Sequence, residues 1–131
     1  MGDFEPHPDA IANAAIGREV IEFVNKGSSD DGPLWDRHWH PDFVSVEGDG
    51  QEFKGREAVR QKQLGWYDTV TMHSCVADGP WVTPGGFYVR YTIDVESKDG
   101  TWPRMKMEEI AVYTVENGKV VREEFFGPPM G

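Results

Sequence analysis

Acid and base chemistry at carbon needs a carboxylate that can take a proton and a second group that can return it or hold the charge that develops. The residues of this chain whose types and spacing suit that work are Glu47, Glu109, Tyr113 and Glu123. In "RMKMEEIAVY" strand alternation puts Met105, Met107, Glu109, Ala111 and Tyr113 on one face. Arg104, Lys106, Glu108, Ile110 and Val112 fall on the other. If the first face is interior, a carboxylate between Met107 and Ala111 loses hydration and its pKa rises toward neutral; at an open, wet mouth or a subunit contact it would pair with an arginine instead. In "KVVREEFF" Val121, Glu123 and Phe125 share a face. The "REE" run reads as a solvated surface, and turned inward it would place Glu123 beside Glu109 as a second carboxylate in a different environment. Glu47 ends the alternating stretch "DFVSVEG", either as a base or as the last charge before a turn.

Other chemistries find less support. His38, His40 and Asp42 in "DRHWHPD" invite a metal, but helical positions two apart do not face one another and no H-E-x-x-H spacing is present, so no metal and no cofactor are expected. The single Cys75 leaves no internal disulfide and no cysteine cage for zinc. A formal charge of -10, from 13 Lys+Arg against 23 Asp+Glu, repels nucleic acid and anionic membranes. The start "MGDFEPHPDAIANA" lacks a basic leader and an apolar run, which leaves a soluble, cytoplasmic protein as the expectation. Trp35, Trp39, Trp66, Trp81 and Trp102, with Phe87 and Tyr91, supply mainly core, and some are free to stack on a ligand.

These residues must be positioned by a small set of elements. A loose arm is expected over 1–8 and one domain over 9–131, a length that suits one modest core. Ile11, Ala14, Ala15, Ile16, Val20, Phe23 and Val24 recur at helical spacing and Gly27 stops them. A short second helix over "LWDRHW" ends before Pro41, and "DFVSVEG" is a strand that turns at Gly48-Asp49-Gly50 into "QEFKG". A third helix runs through "GREAVRQKQLGWY", with Val59, Lys62 or Gln63, and Trp66 on one side. "VTMHSCVADGPWVT", "FYVRYTIDVES", "TWPRMKMEEIAVYTV" and "KVVREEFFG" then form an antiparallel meander, its turns marked by Lys98-Asp99-Gly100 and Glu116-Asn117-Gly118. Helices covering one face of such a sheet make an α+β layer.

"VIEFVNKG", "LWDRHWHPDFVSVEGDG", "KGREAVRQK" and "VYTVENGKVVREEFF", in that order over almost the whole chain, resemble the nuclear transport factor 2 (NTF2)-like superfamily, in particular its SnoaL-like and ketosteroid-isomerase-like members. The resemblance implies an NTF2-like cone, with three N-terminal helices packed on a curved, mostly antiparallel sheet. It implies an interior pocket for a small hydrophobic molecule, lined by Val20, Trp39, Val59, Trp66, Val89, Tyr91, Met107, Ala111, Glu123 and Phe125. It places Glu47 where isomerase-type relatives keep a general base, with Glu109 and Tyr113 as partner acid or hydrogen-bond donor. Val20 and Ala111 stand where those relatives keep a tyrosine and a protonated acid, so both donors to a developing oxyanion are replaced, and one such donor is worth about 10²–10³ in rate. The expected function is therefore cofactor-free isomerisation, cyclisation or dehydration, or a ligand-binding or protein-interaction module without catalysis, since the fold alone decides neither. Arg90, Thr92 and Asp94 beside Arg104, Lys106 and Glu108 mark the outer sheet face as a homodimer surface.

Overall fold

A computed structural model describes residues 6–127. Of the arm expected over 1–8, residues 1–5 lie outside the described residues, as do 128–131 of the expected domain; His7 caps the first helix and Pro8 begins it. The elements are α1 (Pro8–Asn25), α2 (Gly32–His38), β1 (Trp39–Val46), β2 (Glu52–Lys54), α3 (Arg56–Thr69), β3 (Val70–Thr83), β4 (Gly86–Ser97), β5 (Met105–Glu116) and β6 (Lys119–Phe126). Only two helices precede the sheet, because α3 follows the β1–β2 hairpin rather than leading the chain with the others.

The strands form one sheet in the order β2-β1-β6-β5-β4-β3. Every neighbouring pair is antiparallel except β1 with β6, which run parallel and bring Ser45 opposite Glu123. Extra residues in β1, β3 and β6, the last of them Val121, shift the register against the neighbouring strand, and such bulges increase twist and bend a sheet. The β5–β6 turn is Asn117-Gly118 with φ of 50° and 75°, the left-handed pair a two-residue hairpin requires. Gly86 at the start of β4 is fixed by closeness, since a Cβ there would lie 1.9 Å from the Tyr113 carbonyl oxygen.

α1 lies across β3 and the start of β4 through Asn13, Ile16, Gly17 and Val20, spaced to form one stripe. Ile11, expected on that stripe, is 55% exposed; Asn13 holds the inward place and donates to the Thr83 and Pro84 carbonyls at 2.9 and 3.2 Å. At the far end the Asn25 amide donates to the Ala77 carbonyl at 3.1 Å and accepts from its N–H at 2.8 Å, so α1 is tied to β3 at both ends. A Cβ at Gly17 would meet the Pro80 ring at 2.6 Å, which sets how closely helix and strand approach.

The second helix starts at Gly32, before the Leu34 its sequence suggests, and ends before Trp39. It stops at His38, and Trp39 is already extended (φ -103°, ψ 138°), since a residue before proline leaves the helical region and the change spreads back from Pro41. The strand expected from Thr101 begins at Met105: Asp99 turns the chain by accepting from the Thr101 N–H at 2.9 Å, and Ser97 holds both the N–H and carbonyl of Trp102. The core gathers between α1, α2 and the inner sheet face, where Phe43, Val59, Val89, Val95, Ala111 and Val120 are fully enclosed. No helix of the described residues is long and apolar enough to cross a membrane.

Candidate functional site

Cross-strand pairing sorts the inner face into rows. Phe87, Tyr113, Glu123, Ser45 and Phe53 form one; Val89, Ala111 and Phe125 the next; Ala77, Tyr91 and Glu109 a third; and Cys75, Ile93 and Met107 a fourth. Polar side chains therefore enter an otherwise apolar wall at Ser45, Tyr91, Glu109, Tyr113 and Glu123. The small Ala111 and Val89 leave room between the two tyrosine rows, and the Tyr91 and Tyr113 hydroxyls meet there at 2.7 Å. A pair of hydroxyls has two protons and shares one, so one O–H of this buried pair is left to donate elsewhere. Phe87 stacks on Tyr113 with centroids 4.7 Å apart, and Trp39 meets it edge-on at 5.9 Å. Burial pushes both phenols above their ordinary pKa, so both stay protonated donors.

The two inward glutamates have different neighbours. Burial pushes the Glu109 carboxyl up to about 7, the Glu47 charge adds to the rise and Lys62 opposes it. Glu123 is 5% exposed, which corrects the surface reading of "REE": only Arg122 and Glu124 of that run face outward, and they pair with each other at 3.0 Å. Burial raises Glu123 to about 7 as well, against the opposing pull of Lys62, Trp39 and Ser45. Trp39 Nε1 donates to its Oε1 at 3.1 Å and Ser45 Oγ to its Oε2 at 3.3 Å.

Glu47 continues the inward set of β1 into the turn, where it is partly exposed and ion-paired to Lys62 Nζ at 2.5 Å. Lys62 lies three residues after the buried Val59, on the same side of α3, and its Nζ also donates to Ser45 Oγ at 2.9 Å. It sits over the rings of Phe125 and Phe53 at 5.1 and 5.4 Å. Lys62 and Ser45 belong to the cluster although neither stands out in the sequence as a site residue. The shared face of Val59 and Lys62, and the common parity of Phe43, Ser45 and Glu47, are the signals that point to them. At the margin, Gln63 donates to Asp31 Oδ2 at 2.8 Å, and burial raises both the Asp31 carboxyl and the Tyr67 phenol.

Of the residues expected to line the interior, Val20, Trp39, Val59, Val89, Tyr91, Ala111 and Glu123 are buried, and Met107 and Phe125 are half-buried. Trp66 is 39% exposed and stacks on Trp102, centroids 6.5 Å apart. Two clefts open elsewhere: one of about 470 Å³ is framed by Phe23, the loop 27–30 and Pro33, Leu34 and Arg37. The other, about 160 Å³, is framed by α2, the start of β1 and Arg56. Neither includes Glu47, Glu109 or Tyr113. His38 is in contact with Glu19, and His73 Nε2 is 2.6 Å from Glu96 Oε1. No cluster of metal-ligating side chains occurs among the described residues.

The SnoaL-like domain family matches residues 34–127. A solved structure from Mesorhizobium loti, a proposed SnoaL-like polyketide cyclase, is 31% identical; the match covers 86% of this chain and 97% of that one, with a TM-score of 0.76. A proposed SnoaL-like polyketide cyclase from Jannaschia sp. CCS1 is 14% identical over 95% of this chain and 90% of its own, with a TM-score of 0.74. A protein of ketosteroid-isomerase-like fold from Catenulispora acidiphila, solved with trimethylamine, is 9% identical over 93% and 86%, with a TM-score of 0.62. No curated protein matches the chain.

Proposed function

The chain belongs to the SnoaL-like domain family, and on that premise we propose that it performs cofactor-free acid and base chemistry, an isomerisation, cyclisation or dehydration, on a small hydrophobic molecule held against the inner sheet face. The observation that carries this reading is Glu109, a largely buried carboxyl at about 7 directly across from Tyr91 and in the field of the Glu47–Lys62 pair. A group that titrates near neutral pH is populated in both forms and serves either to remove a proton or to return it.

Glu109 takes the proton beside a substrate carbonyl. The spare O–H of the Tyr91–Tyr113 pair, standing over Ala111, supports the oxygen on which charge develops. That hydroxyl pair supplies a donor beside the place where isomerase-type relatives keep an acid. Glu47, whose Oε1 already meets Lys62, sets the field around Glu109 rather than carrying the proton. Val89, Ala111, Met107 and Phe125 supply the apolar wall that favours a hydrophobic substrate and keeps water from the carboxyl.

The test is exchange of solvent deuterium into a hydrophobic cyclic ketone with an acidic α-hydrogen, followed by proton NMR. The wild-type chain should catalyse exchange and Glu109→Gln should not; undiminished exchange in Glu109→Gln contradicts the assignment. If the ketone binds, seen as quenching of tryptophan fluorescence, with no exchange in either protein, the site is a binding site without catalysis.

The outer sheet face supports pairing of two copies. Trp81, Tyr88 and Phe126 are exposed there at 43%, 38% and 51%, beside the Arg90–Asp78 and Arg104–Asp94 ion pairs. Sedimentation should show a dimer that Tyr88→Glu dissociates; a monomeric wild type removes this partner.

A further inference from the structure

Glu123 has no part in the proton transfer assigned to Glu109, yet both its oxygens are engaged within the interior. Trp39 Nε1 donates to one and Ser45 Oγ to the other, at 3.1 and 3.3 Å. Ser45 is itself wholly buried, and its oxygen accepts in turn from Lys62 Nζ at 2.9 Å. Lys62 extends outward to Glu47 Oε1 at 2.5 Å. Side-chain exposure rises along the same line, from 18% at Lys62 to 36% at Glu47, so the chain of contacts runs from enclosed core to solvent. Both donors along the inner part, the ammonium and the hydroxyl, point toward Glu123. Its further charged and titratable neighbours are Tyr113 on β5, Tyr91 on β4 and, more distantly, Asp31 at the start of α2. None of these offers a hydrogen-bonded route outward from Glu123, whereas Ser45 and Lys62 do.

We propose that Ser45 and Lys62 form a proton relay that exchanges the proton of the buried Glu123 with the surface at Glu47, making Glu123 a second proton store beside Glu109. In one inward passage the Ser45 O–H bond breaks as the Glu123 Oε2–H bond forms. A Lys62 N–H bond breaks as the Ser45 O–H re-forms, and Lys62 recovers its proton from a hydronium ion in the solvent beside the Glu47 carboxylate, leaving water. Nothing is oxidised or reduced, and the net change is one proton moved. The raised pKa of Glu123 suits the role, because a carboxyl near 7 holds a proton for part of the time at neutral pH.

Infrared spectroscopy tests the relay without reference to turnover, so it can fail or succeed independently of the ketone assay. At pH 6 the carboxylic acid carbonyl band of Glu123 is identified by its loss in Glu123→Gln, and its shift is timed after dilution into D2O. In the wild-type chain the shift should be fast, Ser45→Ala should slow it by about tenfold or more, a factor equivalent to ~1.4 kcal/mol of added barrier, and Ser45→Thr should restore it. Lys62→Met, at a partly exposed position, provides the second interruption and should slow it likewise. Exchange as fast as wild type in Ser45→Ala and Lys62→Met, or absence of a protonated Glu123 band, overturns the proposal.

Discussion

β4 and β5 carry acids on both faces, and the two faces treat them in opposite ways. Outward, Asp94 lies opposite Lys106 and accepts from Arg104 at 2.9 and 3.0 Å, and that hydrogen bonding holds its carboxyl below the ordinary range. Inward, on the same two strands, Glu109 lies opposite Tyr91 with no arginine in reach, and burial drives it the other way, to about 7. Alternation by one residue thus separates an acid whose charged form a guanidinium favours from one whose carboxyl burial pushes up to about 7. A charge in water is cheap to keep and contributes little, whereas a carboxyl enclosed among apolar groups is tuned by each neighbour it has.

The difference should be largest in rate. Glu109→Gln should lower ketone exchange by about 10²–10⁴-fold, the usual contribution of a positioned acid or base, while Asp94→Asn leaves it unchanged. Equal losses in the two variants would erase the distinction between the faces.

Stability should show the next largest contrast. Glu123→Ala strands the Trp39 N–H and the Ser45 hydroxyl in the core and opens a void, a loss of about 2–4 kcal/mol in urea unfolding. Arg104→Ala on the outer face, where the guanidinium is itself 56% exposed, should move the unfolding midpoint far less.

The comparison sharpens with pH. Between the unfolded value of 4.5 and about 7, the folded chain holds protons at Glu109 and Glu123 that the unfolded chain has released. The stability these two groups confer is therefore fully present below about 4.5 and is lost as pH rises through about 7. Asp94, Asp99 and Glu22, lowered by Arg104, Thr101 and Lys26, act with the opposite sign: their contribution is present above their ordinary values and disappears as pH falls. Urea midpoints of the wild type should decline from pH 5 to pH 8. Glu109→Gln/Glu123→Gln should flatten that decline and leave the loss at lower pH; an unchanged slope would show that neither inner acid is raised.

Much of this contrast is legible in the sequence, because alternation is a local property. The inward set of β5, the polar set of β4 and the hairpins at Lys98-Asp99-Gly100 and Glu116-Asn117-Gly118 all follow from spacing and turn chemistry. What local pattern cannot supply is pairing between distant segments. The parallel β1–β6 ladder sets Ser45 against Glu123, so a run that reads as solvated "REE" turns its middle residue into the core. Lys62 is similarly hidden: one of several charges on a polar helix, it becomes the cluster's cation only when α3 folds back over Ser45 and Glu47. Trp39 reads as the end of a helix, and its indole serves Glu123 because the strand already begins there, ahead of Pro41.

Titration of side-chain carboxyl carbons by NMR tests the central claim most directly, with Glu109 and Asp94 followed in the same sample. Glu109 should titrate near 7 and move downward in Glu47→Gln, since Glu47 contributes to its rise, while Asp94 titrates below 3.8 in both proteins. Glu109 titrating near 4.5, with no response to Glu47→Gln, would contradict the account.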